Sequence, residues 1–97
     1  MTRIMTERTM REWINEHSND ESMNLNDWDV SNVHNMSNMF KYCESLTNLN
    51  ISNWNVSNVR NMNNMFIGCD SLTNLNAMGW LDNQINYIHN SANIMMW

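Results

Sequence analysis

LNDWDVSNVHNMSNMFKYCESLTNLN, residues 25–50, returns 26 residues later as ISNWNVSNVRNMNNMFIGCDSLTNLN, residues 51–76. Seventeen of the 26 aligned positions are identical, among them Trp28/Trp54, Val30/Val56, Met36/Met62, Met39/Met65, Phe40/Phe66, Cys43/Cys69, Leu46/Leu72 and Leu49/Leu75. Self-similarity at a fixed period of this size predicts stacked units, because one unit cannot bury its own apolar face and the next must cover it. Homologous side chains should then lie above one another, in a chain that binds rather than catalyses.

Within a repeat, Met62, Met65, Phe66 and Cys69 fall at i, i+3, i+4 and i+7, which predicts a short helix with Asn61 as its N-cap. Asn35, Met36, Met39, Phe40 and Cys43 repeat the pattern. The run Leu46, Leu49, Ile51, Trp54 and Val56 fits the leucine-rich-repeat spacing, with a strand near residues 47–51. Its register points Leu49 and Ile51 inward and Thr47, Asn48 and Asn50 toward solvent, and successive strands should pair in parallel about 4.8 Å apart.

The flanks read as caps. Thr6 can N-cap a helix over residues 7–17 with Met10, Trp13, Ile14 and His17 on one side, a lid for the first repeat. Met23 and Leu25 occupy the register of Leu49 and Ile51. Trp80 keeps the 26-residue spacing, but Asp82, Ser91 and Ala92 replace Val56, Met65 and Phe66, and Ile85, Ile88 and Ala92 predict a closing helix over residues 82–95. The expected fold is an α/β repeat solenoid of leucine-rich-repeat-like right-handed coils, each a short parallel strand plus a short helix. A capping helix begins it and a degenerate cap ends it. Residues 1–97 form a single domain divided into 1–24, 25–50, 51–76 and 77–97.

Net charge is -5, and three of the five basic residues are Arg3, Arg8 and Arg11, which leaves the repeats acidic. Nucleic acid and anionic membranes are poor partners for that surface, and no apolar run is long enough for membrane insertion. The 21 Asn and 11 Met, with no Pro and two Gly, hold fixed places in the repeat, so the polar bias predicts order rather than disorder.

No catalytic constellation, phosphate loop or metal-ligand spacing occurs, so neither an enzyme nor a cofactor is expected. Cys43 and Cys69 hold equivalent positions and read as buried thiols, although adjacent-coil spacing also falls in the range a disulfide accepts. Asp27 and Asp29 become Asn53 and Asn55 in the second repeat, which favours capping over paired-carboxylate chemistry. The Met columns read as core. His17, His34 and His89 lie in unrelated settings.

The wording WNVSNVRNMNNMFIGCDSLTNLN closely resembles the BspA-like leucine-rich-repeat family, whose members include bacterial surface proteins and lipoproteins and proteins of protists and large DNA viruses. The resemblance covers about residues 25–80 and implies surface display, adhesion or protein binding. As written the chain lacks a signal peptide and reads as cytoplasmic, with surface exposure expected if it is a fragment of an exported member.

The function expected is a non-enzymatic protein-protein interaction module whose partner face is Thr47, Asn48 and Asn50 over Thr73, Asn74 and Asn76. The protein partner's identity is not legible in the sequence. Two further readings are self-association into a homo-oligomer through Ile94, Met95, Met96 and Trp97, and a small acidic inhibitor of a host enzyme encoded by a virus or mobile element.

Overall fold

In the computed structural model, which describes residues 2–77, 80 and 95–96, the chain enters through β1 (Arg3–Ile4) and then turns into a helix. Thr6 is extended and its hydroxyl accepts from Thr9 N, while Thr9 Oγ1 accepts from Thr6 N at 2.9 Å, a reciprocal capping box. It opens α1 (Glu7–Glu16). Arg8–Glu12 and Arg11–Glu7 pairs at 3.2 and 3.1 Å line its outer face, and Met10 and Ile14 are buried on the inner one. His17 ends the helix, its backbone N–H bonding to Trp13 and Ile14 carbonyls and its ring stacking on Trp13.

Beyond α1 come β2 (Ser22–Asn24), β3 (Trp28–Asp29), β4 (Asn48–Asn50), β5 (Asn74–Asn76) and β6 (Met95–Met96). They form two parallel sheets, β1-β3 and β2-β4-β5-β6. In the larger sheet Met23 aligns with Leu49 and Leu49 with Leu75, so the 26-residue period becomes strand register. Those three side chains are buried, and Ser22, Asn24, Asn48 and Asn74 are exposed beside them.

The expected solenoid of strand-plus-helix coils is overturned. Among the described residues α1 is the one helix, the molecule measures 29 × 28 × 21 Å, and the fold is a small compact α/β body with two small parallel sheets. The Met/Phe/Cys stripe forms turns, and its hydrogen bonds show why. A helix returns each N–H to the carbonyl four residues back. Here Met39, Lys41 and Cys43 N–H groups bond three residues back, to Met36, Asn38 and Phe40, whereas Met36, Asn38, Phe40 and Tyr42 bond across to Asn61, Asn63, Met65 and Ile67. Positive φ at Asn38, Tyr42, Asn64 and Gly68 fixes the same bends in both repeats, a conformation that Asn and Gly tolerate better than most. Tyr42 is the costly member, and its ring lies over Gly68 where any Cβ would collide with it.

The expected closing helix over residues 82–95 fails at its last residue, because Met95 is extended and pairs with Asn74. The rest of that segment lies outside the described residues, as do Ile94, Trp97 and His89.

One hydrophobic core runs from Met5 and α1 to Trp80. Trp28 stacks on Trp54 at 6.0 Å and Trp54 on Trp80 at 6.4 Å, Phe40 stacks on Phe66 at 5.2 Å, and Trp13 meets Trp28 edge-on. Such offset pairs add about 0.5–1.5 kcal/mol each beyond their buried area.

Candidate functional site

Asparagine does local work before it offers anything to a ligand. The side-chain oxygens of Asn24, Asp29, Asn35, Asn50, Asn55 and Asn61 each accept the N–H two residues on, at 2.9–3.2 Å. These are Asx-turns, in which a short polar side chain imitates a backbone turn. They replace the expected helix N-caps at Asn35 and Asn61. Asp29 is held below the usual carboxylate range by hydrogen bonds from the Ser31 hydroxyl and then its N–H, so it closes a turn and does not pair with Asp27 for chemistry. Asp27 instead faces Arg3 at 3.7 Å.

A groove of about 280 Å³ crosses β2, β4 and β5. Ser22, Asn24, Asn48, Asn50, Asn74 and Asn76 line it above the buried Met23 and Leu49, and none of these carries a formal charge. Four of the six sequence-predicted partner residues are therefore brought together here. Thr47 and Thr73 belong to the neighbouring ladder: Thr47 Oγ1 donates to Glu21 O at 2.9 Å and Thr73 Oγ1 to Thr47 O at 3.5 Å.

The amides partly satisfy one another. Asn74 Nδ2 donates to Asn48 Oδ1 at 2.6 Å, and Asn48 Nδ2 donates to Thr47 Oγ1 at 3.0 Å. Asn50 gives its oxygen to Ser52, whose N–H and hydroxyl both donate to it. Among the described residues the row therefore presents a mixed surface: Asn50 offers its amide hydrogens and Asn74 its carbonyl oxygen, while Asn48 is committed to the ladder.

Sequence reasoning missed a second depression, about 430 Å³, between α1 and residues 38–43, lined by Arg11, Glu12, Asn15, Asn38 and Lys41 among others. Only the unexpected turns at residues 38–42 bring these groups opposite α1. Cys43 forms part of its wall yet is buried, as is Cys69, and both are free thiols. Cys69 Sγ donates to Phe40 O at 2.9 Å, and its contact with Cys43 together with burial pushes the thiol up. No group of three or more His, Cys, Asp or Glu that could hold a metal occurs among the described residues. His17 caps α1, and His34 Nδ1 bonds to Asn58 O. Among the described residues no helix is long and apolar enough to cross a membrane.

Of the residues expected to self-associate, Met95 and Met96 form the strand that continues the sheet beside β5 within the chain. No curated protein and no solved structure matches the chain. A family model matches residues 8–94, nine-tenths of the sequence, and the chain thus belongs to the family described as Mycoplasma protein of unknown function, DUF285.

Proposed function

We propose that the protein is a non-enzymatic protein-interaction module of the kind the BspA-like resemblance implies, with the amide groove over β2, β4 and β5 as its partner face. The observation that carries this reading is the lining of the groove: six uncharged side chains, each with a hydroxyl or amide, set at strand spacing on a buried apolar floor. Such a surface selects a partner by hydrogen bonds and shape rather than by charge, and its capture should be insensitive to salt.

Asn24→Asp with Asn50→Asp tests it without removing the turns, because Asp29 shows that a carboxylate closes an Asx-turn as an amide does. Partner capture from the native host, read by pull-down and mass spectrometry, should fall by about tenfold, the loss caused by desolvating two unpaired charges in a neutral groove. The melting temperature should stay put. A protein captured equally by the parent chain and the folded double variant would remove this face from consideration.

A further inference from the structure

We infer that the outer edge of β2 is a docking site for an extended peptide that adds to the sheet in parallel, with basic residues at its N-terminal side followed by alternating polar and apolar residues. This site adjoins the amide groove at Ser22 and Asn24 but uses their outward backbone groups rather than the groove's side chains, so its failure leaves that reading standing.

Strand order places β2 at the end of its sheet, with β4 as its one neighbour among the described residues. Leu25 N–H bonds to Asn50 O, and Glu21 O accepts from Thr47 N. Backbone groups alternate in direction along a strand, so those of Ser22 and Asn24 point away from β4. β1 covers β3, the strand near the start of the first repeat, whereas no described strand pairs with that outer edge of β2. Unpaired N–H and C=O groups along a sheet edge are a template for strand addition, and the three-residue length of β2 confines an added peptide to a few backbone bonds.

The second observation is independent. Trp54 Nε1 donates to Leu25 O, the carbonyl that follows β2, and Trp80 Nε1 donates to Ile51 O, the carbonyl that follows β4. Each indole thus reaches the residue after the strand one repeat earlier. Trp28 stacks parallel to Trp54, is 2 % exposed, and its Nε1 has no hydrogen-bond partner among the described residues. The carbonyl it lacks would follow a strand lying beside the open edge of β2. Buried donors are seldom left unpaired, and a particular exception asks for a reason.

Register and charge define the occupant. Strands β2 and β4, and the residues after them, read Ser22-Met23-Asn24-Leu25 and Asn48-Leu49-Asn50-Ile51, so the incoming segment carries the same polar-apolar alternation. Asp20 and Glu21 are exposed just before β2. In parallel pairing they flank the N-terminal side of the peptide, where Lys or Arg complements them.

The test uses the full ¹⁵N-labelled chain and a synthetic peptide, Lys-Lys-Thr-Asn-Leu-Asn-Ile-Ser, capped at both ends. On titration the Trp28 indole N–H resonance should move downfield with the Ser22 and Asn24 amides, while the Trp54 and Trp80 indoles hold still. N-methylation of the peptide's Ile, whose N–H would meet Asn24 O as Leu25 N–H meets Asn50 O, or Asp for its Leu, should weaken binding by about tenfold, the loss of one or two edge interactions. Raising salt from low to physiological strength should weaken it further. Asn24→Pro deletes an outward N–H and should abolish the response, and the N-methylated peptide supplies the same control without altering the protein. Shifts confined to Asn48, Asn50, Asn74 and Asn76, an unmoved Trp28 indole, or equal binding of the N-methylated peptide would each overturn the proposal.

Discussion

Replacing Trp28 or Trp54 by Phe removes the same atoms from equally buried sites, yet the two changes should differ in cost. Both indoles are 2 % exposed and lie in one aromatic column. Trp54→Phe deletes the hydrogen bond to Leu25 O at 2.9 Å. That carbonyl still accepts from Trp28 N at 3.0 Å, so the loss is one ordinary hydrogen bond, about 1 kcal/mol. Trp28→Phe deletes a donor with no partner among the described residues and so relieves a desolvation penalty of about 1–3 kcal/mol. The cavity left by the shortened ring is common to both and cancels in the comparison. Trp54→Phe should therefore be the less stable variant by about 2–4 kcal/mol, the sum of these two effects. Urea unfolding followed by far-UV circular dichroism measures it: at a slope near 2 kcal/mol/M the midpoints should lie about 1–2 M apart. Equal midpoints, or a larger loss at Trp28, would refute the argument that the first indole is an unpaid donor. The same substitution at Trp28 should weaken the edge peptide, separating stability from recognition at one residue.

Two further outcomes are expected. Gly68→Ala places a methyl into the Tyr42 ring at φ +75° and should lower stability by about 1–2 kcal/mol from the left-handed backbone alone, with an added loss that disappears in a Tyr42→Ala background; an additive double-mutant cycle in urea would contradict the contact. Cys69 has its thiol pushed up in the folded state, so folding holds a proton that the unfolded thiol releases above about pH 8.5. Stability from this group is complete below that pH and declines as pH rises further, and Cys69→Ala should flatten the decline in urea midpoints between neutral and alkaline pH.

Much of the packing was legible because burial follows period. Leu49 and Ile51 point inward, Thr6 caps α1, and Met23 takes the register of Leu49 as expected. The helices within the repeats were misread because successive turns also bring every third or fourth side chain to one side, giving Met36, Met39, Phe40 and Cys43 the spacing of a helical stripe. The distinguishing mark was present in Asn38, Asn64 and Gly68, residue types that accept positive φ, but equivalent Tyr42 concealed it. In the candidate face, composition identified amides at Asn48, Asn50, Asn74 and Asn76 without revealing that Asn74 bonds to Asn48 and that Asn50 serves its own turn. The Trp28 donor had no sequence signature at all, since its residue type matches Trp54 and only the lack, among the described residues, of a strand beside the outer edge of β2 sets it apart.

The turns at residues 29–31 and 55–57 are built alike, yet one closes on a carboxylate and the other on an amide, with the serine hydroxyl 2.6 and 2.7 Å from Oδ1. What the backbone demands there is one planar oxygen, whatever its formal charge. Amide-to-acid exchange at these points can shift the isoelectric point stepwise while the architecture stays fixed, so the electrostatic character of this protein can drift during descent without any toll on its shape.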